Sequence, residues 1–305
     1  MPTANMPAAE VEITYALVTE MLRAQHPDLA NLSLTLMANG WDNVMYRLGD
    51  DYIVRLPRRA LAAPLIEFEL EWLPGLAARL PVAIPAPIRR GAPTADYPWT
   101  WSICPFIAGH TAASAGDPVS SAGDPEADRR VARSLGEFLC ALHTPAPPNA
   151  PANPYRGGPL SDRDSTTRQR IAQLADVIDD AATLAVWETL VATPPWTGPP
   201  LWLHGDLHPA NILIRDGELC GVIDFGDITA GDPACDLSAG WIMFDEPSRS
   251  VFRQAAGTVD DYTWVRARGW ALSLSLAYLE SSADAAHMAA IGHSALRRAL
   301  EPSES

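Results

Sequence analysis

The feature that most constrains this chain is a pair of polar loops joined by a short hairpin. The first loop is His204-Gly205-Asp206-Leu207-His208-Pro209-Ala210-Asn211, and the second is Asp224-Phe225-Gly226-Asp227. Between them lie two apolar runs, Ile212-Leu213-Ile214 and Gly221-Val222-Ile223, separated by Asp216-Gly217. That pattern predicts an antiparallel hairpin, because Asp-Gly tolerates the positive φ angles of a tight turn. A hairpin returns the chain beside itself, so Asp224 is delivered next to Asn211. Two oxygen ligands then converge as a hard cation such as Mg²⁺ requires. Pro209 shapes the first loop so that Asp206 and Asn211 turn toward one point.

This spacing is the layout of phosphoryl-transfer loops. In that template a loop Asp accepts a hydroxyl proton, an Asn five residues on holds Mg²⁺, and the Asp of an Asp-Phe-Gly holds metal against the phosphates. Asp206, Asn211 and Asp224 occupy those three places. A lone His-x-Asp says little, whereas the whole set in a strand-turn-strand context is specific. His204 and His208 leave a second chemistry open, a metal-dependent hydrolase with His204, Asp206, His208 and Asp224 as ligands. That alternative gives Asn211 and Gly226 no role.

The run from Trp202 to Asp236, with Val222-Ile-Asp-Phe-Gly-Asp227 and Gly231-Asp-Pro-Ala-Cys-Asp236, resembles the aminoglycoside phosphotransferase family. Gly205 stands where protein kinases usually carry Arg, as in small-molecule kinases. The resemblance extends from about Leu34 to the C-terminal helices, with its diagnostic motifs in the second half. It implies an α+β, two-lobed protein-kinase-like fold, with a small antiparallel-sheet N-lobe over 1–107 and a mostly helical C-lobe over 108–305. The N-lobe is implied to bind nucleotide and the C-lobe to carry catalysis and the substrate. The implied activity is Mg²⁺-dependent transfer of the γ-phosphoryl of ATP or GTP to a hydroxyl of a small molecule, an aminoglycoside or another antibiotic. A sugar or amino-alcohol metabolite is the alternative acceptor, and a catalytically inactive nucleotide-binding protein is the alternative of another class. His204 is implied to be a buried scaffold residue, and Asp232 and Asp236 to anchor backbone groups below the catalytic loop.

Upstream, Glu10–Gln25 has helical spacing, and Leu32–Met37, Asn43–Leu48 and Tyr52–Leu56 read as strands. Leu65–Leu80 reads as a helix and Trp99–Ile107 as a further strand. Within the resemblance, the turn Asn39-Gly40-Trp41-Asp42-Asn43 is placed to cover phosphates, with Gly40 permitting close backbone approach and Asn43 beside it. Arg55 stands where kinases carry a phosphate-binding Lys, and alternation along its strand points it inward with Ile53. Arg can grip phosphate through two donors, so the exchange is chemically sensible. Of Glu67, Glu69 and Glu71, the family pattern selects Glu69 as the orienting carboxylate. Pro105, through its carbonyl, and Ile107, through its N–H, are implied to face the purine.

Downstream, Gly109–Glu126 reads as a surface loop and Glu126–His143 as an amphipathic helix. The Pro-rich run Pro145–Pro159 reads as a loop, Asp164–Val191 as helical, and Val251–Ala255 and Tyr262–His293 as helices. The substrate side is expected to use Asp227, Asp245, Glu246 and Glu280 beside Trp241, Phe244 and Trp270. Carboxylates next to aromatic faces suit a cationic, aminated sugar.

A net charge of −15 argues against a nucleic-acid partner, since phosphate backbones need cationic surfaces. All 22 basic residues are Arg, so no Lys is present to take the place of Arg55. Cys104, Cys140, Cys220 and Cys235 have neither metal-site nor paired spacing and read as reduced thiols. No signal peptide is expected, and no apolar stretch is long enough to span a bilayer. The expected location is the cytoplasm, with no membrane partner.

Overall fold

The computed structural model describes residues 7–115, 124–280 and 286–302. Its contacts divide the chain into two units, one of Met1–Arg79 with Ala83–Ala108 and one of Leu80–Val82 with Gly109–Ser305.

In the first unit, α1 (Tyr15–Gln25) starts where the Thr14 hydroxyl accepts the Leu17 N–H at 3.2 Å. That cap places the helix start later than Glu10, where apolar spacing alone had put it. There follow β1 (Leu34–Asn39), β2 (Asn43–Leu48), β3 (Tyr52–Pro57), α2 (Ala63–Ala77), β4 (Arg89–Gly91) and β5 (Trp101–Pro105). The five strands form an antiparallel sheet in the order β1-β2-β3-β5-β4. Val44, Tyr46 and Leu48 alternate inward from β2 and pack with Val54, Leu56, Ile103 and the α1 residues Val18, Met21 and Leu22. Strand β4 has no apolar signature because its two arginines are exposed. It needs Gly91, where a Cβ would stand 1.8 Å from the Trp101 indole.

The second unit contains β6 (His110–Thr111), α3 (Pro125–Leu142), α4 (Asp164–Gln173), α5 (Asp180–Val191), β7 (Leu201–Leu203), β8 (Ile212–Arg215), β9 (Glu218–Val222) and β10 (Thr229–Gly231). Helices α6 (Ala234–Leu237), α7 (Ala239–Met243), α8 (Glu246–Ala255), α9 (Asp261–Glu280) and α10 (Ala286–Leu300) complete it. The expected hairpin forms as β8 antiparallel to β9, turning through Asp216 at φ 54° and Gly217 at φ 75°. The helical run expected over Asp164–Val191 divides instead into α4 and α5. Asp179 starts the second helix by accepting the Ala182 N–H at 2.9 Å, a competing cap that apolar periodicity does not register. Much of the surface loop expected over 109–126 lies outside the described residues, as do 281–285 within the helix expected over 262–293.

Helix α9 is buried on nearly every side, from Thr263 to Leu279, so it acts as the central post of this unit. Among the described residues no helix is long and apolar enough to cross a membrane. The antiparallel-sheet unit and the mostly helical unit together constitute a kinase-like α+β fold.

Candidate active site

Asp236, in α6, holds the His204–Asn211 loop from beneath. Its Oδ2 accepts the His204 N–H and its Oδ1 accepts the Gly205 N–H, both at 2.8 Å, and His143 Nε2 lies 3.2 Å from Oδ2. Asp232 is likewise engaged, with Arg266 Nε 2.6 Å from its Oδ2 and the Ala234 N–H donating to its Oδ1. The His204 ring is buried beside Phe225. Its Nδ1 accepts the Asp206 N–H at 3.2 Å, which leaves Nε2 to carry the proton and donate to the Ile223 carbonyl at 2.9 Å. One imidazole thereby ties the first loop to the end of the hairpin.

Asn211 completes the connection. Its side-chain amide donates to the Asp206 carbonyl at 2.9 Å, and its own carbonyl accepts the Ile223 N–H at 2.9 Å. Asp224, the next residue, sits at φ 65° and is exposed. That left-handed geometry is uncommon outside Gly but comparatively tolerable for Asp. The structure thus brings Asp206, Asn211 and Asp224 together around one short hairpin. The donor set left for a cation, an amide oxygen and a carboxylate, is hard and sparse, which fits Mg²⁺ that retains waters and substrate oxygens. The alternative His/Asp ligand set is not assembled, since among the described residues no group of three or more His, Cys, Asp or Glu could hold a metal.

Asp206 itself is flanked by Arg156 and His208 and remains 24% open to solvent, enough for a ligand to reach it. Arg156 Nη2 donates to Oδ1 at 3.1 Å, and His208 Nε2 lies 3.3 Å from Oδ2. Burial acts to raise the Asp206 pKa, but His208, Arg156 and His204 outweigh it and hold the carboxyl well below its usual range. Asp227 is different. Burial pushes its pKa up, the Asp206 charge adds to this, and Arg156 and Asn153 offset part of the rise. Asn153 Nδ2 donates to Asp227 Oδ1 at 2.7 Å, and Arg156 Nη2 stands 3.7 Å from Oδ2.

Asn153 and Arg156 belong to the Pro-rich run that the sequence presents only as a loop. The structure straps it along β7 and β10. Thr229 Oγ1 donates to the Pro151 carbonyl at 3.0 Å, the Asn153 N–H donates to Thr229 Oγ1 at 3.0 Å, and the Asp232 N–H donates to the Gly157 carbonyl at 2.8 Å. The sequence signal was an Asn and an Arg inside an otherwise Pro- and Gly-rich stretch, and it says nothing about what they face. Tyr278 of α9 is a third residue that sequence reasoning passed over. Its ring packs edge-on against His208 at 5.6 Å between centroids.

The remaining residues expected on the acceptor side are spread out. Asp227 stands beside Asp206 as described. Asp245 caps α8, accepting the Ser248 N–H at 3.0 Å, and Glu280 pairs with Arg170 Nε at 2.7 Å. Trp241 and Glu246 line a pocket of about 460 Å³ with Arg249, Arg253, Arg268 and Arg298. Arg268 and Tyr278 lie on one helix ten residues apart, about 15 Å at the helical rise, so that pocket is separate from Asp206. Phe244 and Trp270 are buried in the core.

In the sheet unit, Arg55 of β3 is buried and forms an ion pair with the buried carboxylate of Glu69 on α2. Glu67 instead pairs with Arg90 at the surface. The turn around Gly40 is closed by the Gly40 N–H donating to the Asn43 carbonyl at 2.9 Å. It is braced by Arg58 Nη1 on the Gly40 carbonyl at 2.9 Å and by Arg59 on Asp42 at 2.6 Å. Pro105 ends β5 opposite Tyr52, the Phe106 N–H is spent on the Asp51 carbonyl at 2.7 Å, and Ile107 follows, partly buried.

Comparison with known proteins agrees with this fold. Aminoglycoside 3'-phosphotransferase of Escherichia coli is 25% identical over 154 residues, 50% of this chain and 55% of that protein. The chain thus spans about half the length of the curated relative it matches. The GDP and kanamycin complex of APH(2")-IIia superposes with a TM-score of 0.68 at 21% identity, covering 92% of this chain and 96% of the other. Macrolide 2'-phosphotransferase MphH from Brachybacterium faecium superposes at 0.60 and 22% identity, covering 95% and 98%. At such identities the likeness is one of fold. The sequence match that spans both units is the model of the phosphotransferase enzyme family, which covers residues 33–270, and to that family this chain belongs.

Proposed function

We propose that this protein transfers the γ-phosphoryl group of ATP or GTP to a hydroxyl of a small molecule, with Mg²⁺. The observation that carries the reading is the bonding that ties Asn211 to Asp206 and to Ile223, the residue before Asp224: the Asn211 amide on the Asp206 carbonyl and the Ile223 N–H on the Asn211 backbone carbonyl. Asn211 and Asp224 are the residues that would hold the cation, which when bound neutralises charge on the phosphates. Asp206, kept ionised by His208 and Arg156, orients the acceptor hydroxyl and takes its proton as the phosphoryl group leaves the nucleotide. Rate enhancement comes from alignment and charge neutralisation, with no covalent intermediate on the protein. In the sheet unit, Arg55 oriented by Glu69 supplies a phosphate-binding cation, with the Gly40–Asn43 turn and the Pro105–Ile107 backbone serving the nucleotide.

Relatives are named for aminoglycosides and macrolides, and an antibiotic or a similarly polyhydroxylated metabolite is the acceptor class we propose. The test is acceptor-stimulated release of nucleoside diphosphate. Asp206→Asn is expected to lower turnover by about 10²-fold or more with nucleotide binding kept. Asp224→Ala is expected to abolish metal-dependent nucleotide binding. Near-parental turnover in Asp206→Asn would sink the assignment.

A further inference from the structure

Four of the chain's 22 arginines, Arg249, Arg253, Arg268 and Arg298, surround one cavity of about 460 Å³ in the helical unit. They come from three helices: Arg249 and Arg253 from α8, Arg268 from α9 and Arg298 from α10. Two carboxylates, Glu246 and Glu301, share the lining, which leaves an excess of two positive charges in a chain whose net charge is −15. A concave surface lined by one sign of charge concentrates ions of the other. The sign is thus opposite to that expected for a cationic acceptor beside Trp241 and Glu246.

The contacts that converge these guanidinium groups leave much of their charge in place. Trp241 is a common wall, with Arg249 5.4 Å from its ring centre and Arg298 Nη1 3.4 Å from its carbonyl oxygen. Glu301 is a second meeting point, its carboxylate 3.5 Å from Arg249 Nη2 and its backbone carbonyl accepting Arg268 Nη2. Arg268 Nε also donates to the Ala299 carbonyl at 2.7 Å, and Arg298 Nη1 to the Ile242 carbonyl at 3.0 Å. Carbonyls satisfy donors without neutralising an ion. Burial lowers the Arg268 pKa and the nearby Arg249 charge lowers it further, with Glu301 acting against both. Arg253 lies 4.9 Å from the Trp264 ring centre and is paired with no carboxylate among the described residues. A solute can reach all four, since Arg253 is exposed and the other three are partly so.

We infer that this cavity is a binding site for a compact polyanion carrying two or more phosphate groups, separate from Asp206 and gripped by Arg253 and Arg249 with Arg268 and Arg298 behind them. The planar fork of Arg matches phosphate oxygens, and arginines on three helices are matched by several phosphates rather than one. The volume lies in the range of small-molecule sites. Inorganic polyphosphate and phosphorylated metabolites share this chemistry. The inference does not depend on the phosphotransferase reading. Such a ligand cross-links α8, α9 and α10 and stabilises the folded chain by mass action.

Calorimetry without Mg²⁺, at an ionic strength of about 0.15 M, tests this with inorganic phosphate, tripolyphosphate and a hexose bisphosphate as probes. Tripolyphosphate is expected to bind about tenfold or more tighter than inorganic phosphate and to raise the melting temperature. Whichever of tripolyphosphate and the bisphosphate binds tighter names the source, and either order supports the site. Arg253→Gln alters an exposed side chain, so the ligand-free melting temperature should be kept while tripolyphosphate affinity falls about fivefold or more. Glu301→Gln removes the carboxylate that competes for Arg249 and is expected to tighten binding about twofold or more. No tripolyphosphate bound, equal affinity for phosphate and tripolyphosphate, parental affinity in either variant, or weaker binding in Glu301→Gln overturns the inference. Tripolyphosphate that binds the parent and both variants alike is held elsewhere, at Arg55 or on the general surface.

Discussion

The Asp236 carboxylate accepts the backbone N–H groups of both His204 and Gly205 at 2.8 Å, one on each oxygen, so a residue thirty positions downstream sets the conformation of the loop that carries Asp206. Both N–H groups are buried. Asp236→Ala leaves them without an acceptor and is expected to cost about 3 kcal/mol or more of unfolding free energy. Asp236→Asn, which keeps one acceptor oxygen, should recover roughly half of that. Urea unfolding of the three proteins measures both; equal midpoints would remove Asp236 as the anchor of the loop.

Gly205 has φ 89°, and a Cβ there would stand 2.4 Å from the Asp227 carbonyl oxygen, which is backbone and cannot move aside cheaply. Gly205→Ala is expected to destabilise by about 2 kcal/mol or more through conformational strain and overlap. Because the overlap lies between Asp206 and Asp227, turnover should fall further than the melting temperature suggests. Thermal melts set beside initial rates check the two effects, and a variant with parental rate and stability would contradict the geometry.

The buried Arg55–Glu69 pair predicts a separation of stability from binding. Arg55→Ala leaves the Glu69 charge buried without that partner and is expected to cost about 3–5 kcal/mol, whereas the paired replacement Arg55→Met with Glu69→Leu should be near neutral. If Arg55 grips phosphate, the double variant nevertheless loses nucleotide affinity by about tenfold or more. Denaturant titrations and nucleotide calorimetry on the double variant decide the matter. Parental affinity in a folded double variant would reduce Arg55 to a structural role.

Thiol reactivity gives an independent check of the packing. Burial pushes the Cys104 thiol up to about 11, with Arg55 lowering and Glu69 raising it to lesser extents, so little thiolate exists at pH 8. Cys140 is exposed. Iodoacetamide at pH 8, read by mass spectrometry, should label Cys140 within minutes and Cys104 only after denaturation. Fast labelling of Cys104 in the folded protein would contradict the burial of β5.

The hairpin between the two polar loops was legible because each of its parts is local: an Asp-Gly turn, two apolar runs, and polar residues at their ends. The sheet of the first unit was legible for the same reason, through alternation along β2 and β3. The break between α4 and α5 was missed because a side-chain cap at Asp179 overrides apolar periodicity that continues on both sides. Strand β4 was missed because its two exposed arginines carry no apolar pattern and its pairing depends on Trp101, ten residues downstream of Gly91.

Sequence by itself determined where the polar loops lie and which side chains they present, since residue type, spacing and turn propensity are properties of a short segment. Asp206, Asn211 and Asp224 announce themselves in that way. What surrounds Asp206 was decided only by tertiary structure. Arg156 lies fifty residues upstream in a Pro-rich segment that reads only as a loop, and it reaches Asp206 because Pro151, Asn153 and Gly157 are bonded to β10 and to Asp232 just beyond it. Tyr278 comes from a helix buried on nearly all sides, where neither hydrophobic period nor motif distinguishes it from its neighbours. The charge a site presents depends on which ions pair, and pairing is set by through-space distances that no local pattern encodes.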